Sequence, residues 1–174
     1  SKVGSDFLVK KTAKIGMFIA LAMIFSYIEA IIPINFGIPG IKLGIANIVV
    51  VTSLYVLGFK ETIGISLIRI LLMGILFGNV FSLIYSFSGG ILSLMGMIIC
   101  KKFKLFSTVG VSVVGGVLHN LGQLIAASIV LNNLSIAYYF SVLLVSGVVT
   151  GFVIGIVSTK VIKILTSTKM KVFN

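Results

Sequence analysis

The sequence predicts an all-α, polytopic integral membrane bundle of six transmembrane helices with both termini in the cytoplasm. The first observation is composition: 59% of residues are hydrophobic, 10% are charged and the mean hydropathy is +1.27. Soluble globular domains are far less apolar. The second is that lysines cluster at the ends of the apolar segments, which is typical of topology determinants. A multi-pass membrane protein, surrounded by the lipid bilayer, is therefore expected.

Six apolar segments approach or exceed the length that a bilayer core requires, about 20 residues. They cover 15–32, 43–59, 62–78, 79–99, 109–131 and 136–159, with a tight turn predicted at Lys60 and Glu61. We expect one transmembrane domain at 15–163, preceded by a cytoplasmic basic segment at 1–14 and followed by a cytoplasmic basic tail at 164–174. The first span is longer than a usual signal-peptide core and lacks a small-x-small cleavage site before Pro33, so we expect it to be retained.

The basic residues predict the orientation of the bundle. With both termini inside, 12 of the 14 basic residues fall on the cytoplasmic side; Lys42 lies outside and Arg69 lies within the membrane. This asymmetry is the positive-inside pattern. The same placement argues against nucleic-acid binding despite the net charge of +11, because phosphate-binding patches lie on water-exposed faces.

Few residues are suited to metal or cofactor chemistry. The chain has one cysteine, Cys100, and three acidic residues, so we expect no disulfide, no metal site and no cofactor. An ATP-binding loop of the G-x-x-x-x-G-K type is absent from the sequence, so any ATP-driven activity would depend on partner subunits.

Small residues recur at four-residue spacing in several spans. Such spacing lets helix backbones approach closely in lipid. It serves contacts within the bundle and contacts with a partner helix equally well, so both interpretations stay open for the first and sixth spans. The candidate partner-docking pairs of the first span are Gly16 with Ala20 and Ala22 with Ser26, and the sixth span carries Gly147, Gly151 and Gly155.

Polar residues at membrane depth gather in the predicted outer half of the bundle. At about 1.5 Å per residue, they come from five of the six spans. Concentrated polar groups at one depth typically mark a solute pocket or pathway. The candidate substrate-binding residues are Glu29, Lys42, Asn47, Arg69, Asn79, His119, Asn120 and Gln123.

Two of these residues allow a simpler interpretation. Arg69 could form a structural ion pair with Glu29, since intramembrane charges often pair, and His119 alone could be a hydrogen-bonded core histidine. Otherwise Arg69 and Lys42 outnumber Glu29, and the pocket carries surplus positive charge that favours an anionic or hydrogen-bond-accepting solute. His119 and Gln123, four residues apart, share one helix face.

Three segments carry a family resemblance. They are IPGIKLGIANIVVV at 38–51, SLIRILLMGILFGNVFSLIYSFSGG at 66–90 and GGVLHNLGQLIAA at 115–127. Together they closely resemble the bacterial membrane proteins called the Gx transporter family, or heptaprenyl diphosphate synthase component I, and this resemblance implies the bacterial plasma (inner) membrane. That family is similar to the substrate-binding S components of energy-coupling factor (ECF) vitamin transporters, which are six-helix proteins. Their first helix docks onto a coupling subunit driven by two ATPases, although neither small-residue pair here is the Ala-x-x-x-Ala usual in those proteins.

The resemblance implies an S-component-like subunit for uptake of a small solute, with an ECF coupling subunit and ATPases as partners. The solute would be a vitamin or an isoprenoid or quinone precursor. An alternative is a non-catalytic membrane subunit associated with prenyl diphosphate or quinone biosynthesis or with flavin-linked electron transfer. We do not expect an enzyme, because diphosphate chemistry requires clustered aspartates that hold magnesium and Asp6 is the only aspartate.

Overall fold

The computed structural model describes residues 2–32 and 44–171, with side chains at 8–32 and 44–167. The described chain is entirely helical and contains no strand, which confirms the all-α class. Six α-helices follow one another, and a 3₁₀ helix at Leu134–Tyr139 precedes the last. They are α1 (Lys2–Ile31), α2 (Asn47–Val56), α3 (Phe59–Phe77), α4 (Val80–Lys102), α5 (Thr108–Val130) and α6 (Phe140–Lys171).

Four helical stretches within the described residues are long and apolar enough to cross a membrane: Leu8–Ile31, Val80–Lys102, Thr108–Val130 and Leu134–Ser167. The other two helices differ from them. Helix α2 has only 10 residues and is therefore about 15 Å long, and α3 contains Lys60, Glu61 and Arg69. Four helices are therefore suited to a membrane by length and composition, and α2 and α3 are not among them.

One predicted turn needs correction, and two helices extend beyond their predicted spans. Helix α1 begins at Lys2 and α6 continues to Lys171, so the described parts of both basic terminal segments are helical. The predicted spans are shorter than these helices because hydropathy identifies only the apolar part of a helix, and the polar turns at its ends are not counted. The turn between α2 and α3 lies at Leu57 and Gly58 instead of Lys60 and Glu61. Gly58 takes a φ of +111°, which glycine adopts readily.

Helices α1 and α3 run parallel and in register. The Lys11 ammonium lies 2.6 Å from the Glu61 carboxylate near one end of the pair. The rings of Tyr27 and Phe77 lie 5.0 Å apart near the other. Both contacts join residues 50 positions apart (61 − 11 and 77 − 27), so the two helices stay aligned over this length.

Helix α5 packs closely between α4 and α6 through glycines. A β-carbon on Gly122 would lie 2.7 Å from the Ser88 carbonyl oxygen of α4, and one on Gly151 would lie 2.7 Å from the Val113 Cα of α5. One on Gly155 would lie 2.7 Å from the Val109 Cα. The glycine series of the sixth predicted span thus contacts α5 within the bundle, which decides between the two interpretations of that series.

The lysines mark one end of the bundle. Lys11 meets Glu61 there, Lys101 contacts the end of α2, and Leu165 of α6 packs against the cluster around Phe18 of α1. The opposite end carries the last turns of α1, α3 and α5, from which the chain passes to the next helix. We use "lysine end" and "connection end" for these two ends.

Candidate functional site

One cavity toward the connection end collects polar side chains from four helices. Its volume is about 40 Å³, enough for about three ordered waters. Helix α3 contributes Arg69 and α5 contributes His119 and Gln123, which the sequence placed on one face. The complete lining is Ser26, Glu29, Gly44, Arg69, Ile70, Met73, Gly74, Ser82, Ser86, His119 and Gln123. We call it the main cavity.

The acidic side of the main cavity is Glu29. A carboxylate oxygen of Glu29 accepts a hydrogen bond from the backbone N–H of Gly44, which fastens the end of α1 to the residues that lead into α2. Gly44 has a φ of +80°, and a β-carbon there would lie 3.0 Å from Nδ2 of Asn47. Glycine therefore suits position 44, because it adopts a positive φ readily and has no β-carbon to contact Asn47.

The basic side is Arg69, whose exposed fraction is 8%. Its charge and that of Glu29 attract each other across the main cavity. Within the described residues, the Arg69 Nε has no hydrogen-bond partner. Arg69 and Glu29 therefore place opposite charges on the walls of the same cavity.

Gln123 is held against α4 by close backbone contact. A β-carbon on Gly89 would lie 2.7 Å from the His119 carbonyl oxygen and 2.8 Å from Cγ of Gln123. The exposed fraction of Gln123 is 1%. Neither its Oε1 nor its Nε2 finds a hydrogen-bond partner in the part of the chain that the structure describes. Gln123 thus lines the main cavity as a fixed side chain, with its amide atoms buried against the protein.

A second, smaller cavity receives the two asparagines that sequence reasoning assigned to the same pocket. Asn47 and Asn120 line it together with Ser112 and Thr150, and His119 lines both cavities. Its volume of about 10 Å³ suits about one water. The Asn120 side-chain nitrogen donates a hydrogen bond of 2.8 Å to the Leu143 carbonyl oxygen, so Asn120 also joins α5 to α6.

Of the predicted site residues that the structure describes, Asn79 lines neither cavity. Asn79 is the N-cap of α4, where its side-chain oxygen accepts a 2.8 Å hydrogen bond from the Ser82 N–H. Lys42 lies outside the described residues. Three serines of the main cavity were not predicted as substrate-binding residues, and one of them, Ser26, was predicted as a docking residue instead. Ser82 and Ser86 are four residues apart, and Ser26 precedes Glu29 by three, so helical spacing was the available signal.

A family model described as heptaprenyl diphosphate synthase component I matches residues 18–161. The chain belongs to this family. The matched range includes every residue that lines the two cavities. No curated protein and no solved structure matches the chain significantly.

The two candidate docking pairs of this component I family member lie on different faces of α1. Ala22 is fully buried and Ser26 is 6% exposed; Ala22 packs in a cluster with Val49 and Ile65. Gly16 and Ala20 are exposed, and a β-carbon on Gly16 would have no neighbour within 4 Å. Only the Gly16 and Ala20 pair is therefore available to another helix in this conformation.

Proposed function

We propose that this chain is an S-component-like, solute-binding membrane subunit that takes up a small polar solute. The observation that carries the proposal is the main cavity, where Glu29, Arg69, His119 and Gln123 converge from three helices. Charged and polar groups at membrane depth are costly and usually serve a binding site or pathway. A structural scaffold would not require these groups to surround a common space.

The proposal includes six membrane helices with both termini in the cytoplasm. Helix α2 is short, but Val50, Val51 and Leu54 are buried among other helices. Helix α3 is charged, but Arg69 faces the main cavity. Irregular or charged segments are tolerated at membrane depth when protein covers them. The positive-inside pattern would then assign the lysine end to the cytoplasm and the main cavity to the outer half.

Energy for uptake would come from partner ATPases through a coupling subunit, because the sequence has no ATP-binding loop of the G-x-x-x-x-G-K type. The exposed Gly16 and Ala20 pair is the proposed contact with that coupling subunit. Close helix approach in lipid favours small residues at such a contact.

The family description supports a second candidate, a non-catalytic membrane subunit associated with prenyl diphosphate or quinone biosynthesis. Catalysis by the chain itself would need acidic groups to hold magnesium and diphosphate. Of the two glutamates, Glu29 lines the main cavity, whereas Glu61 pairs with Lys11 at the lysine end. Two acids so far apart do not form one metal site, so we propose a subunit without its own catalytic centre.

Mass spectrometry of solute retained by the gently purified full chain tests the first candidate. We expect Arg69→Ala and His119→Ala to reduce the retained solute at least about tenfold, the loss of about 1.4 kcal/mol of binding free energy. Ile68→Ala is the matched control, because Ile68 neighbours Arg69 but is 41% exposed. If all variants fold and retain the same solute at wild-type level, the uptake proposal is wrong. Co-purification separates the candidates: ATPases with a coupling subunit favour uptake, and a soluble prenyltransferase favours the second.

A further inference from the structure

We propose that the turn between α4 and α5, residues 102–107, binds the phosphate of an anionic phospholipid headgroup through Lys102 and Lys104, with Phe103 placed in the apolar edge of the bilayer. We call these residues the α4–α5 turn. The proposal concerns the lipid at the lysine end and does not rest on the proposed uptake of a solute.

The α4–α5 turn joins two helices that are each long and apolar enough to cross a membrane. A short connection between two such helices lies at a surface of the bilayer, whichever side that surface faces. Its apolar side chains are nevertheless exposed, Phe103 by 65%, Leu105 by 56% and Phe106 by 55%. Exposed apolar groups that are rimmed by polar residues mark a contact with a membrane or a protein.

Phe103 continues an outward-facing ridge of α4. Met95 and Ile99 are 55% and 48% exposed, and residues four positions apart form one ridge on a helix surface. The Phe103 N–H donates to the Ile99 carbonyl oxygen, so the helical spacing extends to Phe103. On a helix that crosses a membrane, such an apolar ridge faces lipid. The same lipid is therefore the neighbour of Phe103, which favours a lipid over a protein that approaches from the water side.

The backbone of the α4–α5 turn is held by two hydrogen bonds. The Leu105 N–H donates to the Cys100 carbonyl oxygen and the Lys104 N–H donates to the Lys101 carbonyl oxygen, which is the Schellman pattern at a helix end. Lys104 takes a φ of +52°, at a position where glycine is usual. The turn therefore fixes the backbone on both sides of Phe103, which reduces the conformational entropy lost when a headgroup binds.

Two lysines give the α4–α5 turn its charge. Lys102 and Lys104 are exposed, and the Lys102 ammonium lies 5.9 Å from the Phe103 ring centroid. Ammonium groups form charge-assisted hydrogen bonds with phosphate oxygens, and each basic residue near an anionic membrane surface raises the affinity about fivefold. An anionic phospholipid thus offers a phosphate to the lysines and acyl chains to the ring.

The chain supplies few carboxylates that could neutralise these lysines. Residues 62–174 contain seven lysines and no acidic residue. Of the three acidic residues of the sequence, Glu61 pairs with Lys11 and Glu29 lines the main cavity toward the connection end, which leaves Asp6. One further carboxylate cannot balance so many lysines, so positive charge is left for an external anion.

Mixed micelles of detergent and phospholipid test the proposal on the purified full chain. Phosphatidylglycerol is the anionic probe, and phosphatidylcholine with the same acyl chains, whose net charge is zero, is the comparison. The readout is the thermal unfolding midpoint over a series of lipid concentrations, which reports the affinity of each lipid. We expect phosphatidylglycerol to bind at least about tenfold more tightly, because two lysines that each contribute about fivefold face its phosphate.

Paired variants locate this preference on the chain. Lys102→Gln with Lys104→Gln removes two charges from the turn and should reduce the affinity for phosphatidylglycerol at least about tenfold. Lys102→Arg with Lys104→Arg keeps both charges and should preserve that affinity. Lys160→Gln with Lys163→Gln is the matched control, because it removes two exposed lysines of α6, and its effect should be much smaller. Phe103→Ser should weaken the binding of both lipids by a similar factor, because it removes apolar contact and no charge.

Each other outcome overturns the proposal. Equal affinities for the two lipids show that the turn does not recognise a charged headgroup and leave it available to an acidic protein face. Equal losses in the glutamine variants of the turn and of α6 show an unspecific effect of net charge. Displacement of phosphatidylglycerol by an equal concentration of inorganic phosphate, at constant ionic strength, shows a site for free phosphate instead. If the double glutamine variant of the turn does not fold, Lys102→Gln alone carries the test, with an expected loss of about fivefold.

Discussion

A β-carbon built on Gly116 of α5 would lie 2.5 Å from the carbonyl oxygen of Gly147 on α6. The obstacle is backbone, so it cannot rotate aside as a flexible side chain would. The Asn120 hydrogen bond to the Leu143 carbonyl oxygen joins the same two helices nearby. Direct backbone packing therefore positions the α5 face that presents His119 and Gln123 to the main cavity.

Gly116→Ala should weaken this helix pair. Overpacking a close contact typically costs about 1–3 kcal/mol, which should lower the thermal unfolding midpoint in detergent. Gly64→Ala on α3 is the matched control, because a β-carbon on Gly64 has no neighbour within 4 Å. Equal midpoints for the two variants would contradict the direct backbone contact.

The ion pair between Lys11 and Glu61 should make the α1 and α3 contact sensitive to acid. The hydrogen bond from Lys11 is the main cause that lowers the pKa of Glu61 from its ordinary value of 4.5. A lowered pKa in the folded state stabilises the protein above the unfolded pKa, and this contribution is lost as the pH falls through the folded pKa. Lys11→Met should therefore lower the unfolding midpoint at neutral pH, and its difference from wild type should shrink below about pH 4.5.

Lys10→Met is the control for that experiment, because it removes the same charge from an exposed neighbouring position. The unfolding midpoint of Lys10→Met should differ little from that of wild type, and this difference should change little with pH. A Lys11→Met effect that persists undiminished when Glu61 is protonated would argue against the ion pair as its source.

Asn79 should contribute to the stability of α4 and leave solute binding unchanged. Its side chain caps the helix by accepting from the Ser82 N–H, and loss of an N-cap costs about 0.5–2 kcal/mol. We expect Asn79→Ala to lower the unfolding midpoint and Asn79→Ser, which can still cap, to restore most of it. If both variants lost the retained solute while their unfolding midpoints stayed at the wild-type value, Asn79 would be a substrate-binding residue after all.

Lys101 should stabilise the end of α2. The Leu57 and Gly58 N–H groups both donate to the Ser53 carbonyl oxygen, and the Lys101 ammonium donates to the Leu54 carbonyl oxygen. The same ammonium lies 4.7 Å from the Tyr55 ring centroid and 5.0 Å from that of Phe59.

A charged hydrogen bond contributes about 1.5–3 kcal/mol, so Lys101→Met should lower the unfolding midpoint clearly. Lys102→Met is the control: Lys102 is the next residue and is exposed, so its removal should leave the unfolding midpoint nearly unchanged. Similar midpoints for these two variants would show that the Leu54 carbonyl group is satisfied in another way.

The helical membrane class, the family and the face shared by His119 and Gln123 could all be predicted before the structure was known. Each of these depends on composition, on a matched sequence pattern or on the helical period, which are properties of the chain alone. The sixfold span count and the sidedness stay predictions, since four described helices are long and apolar enough to cross a membrane.

The packing of the helices, which the sequence does not report, shows which polar residues line the same cavity. Depth along a helix placed Asn47, Asn79 and Asn120 with Arg69, but depth does not report the direction in which each side chain points. Packing separates them: Asn79 caps α4, and Asn47 and Asn120 line the smaller cavity. Small-residue spacing is likewise the same inside and outside a bundle, so burial alone distinguishes Ala22 and Ser26 from Gly16 and Ala20.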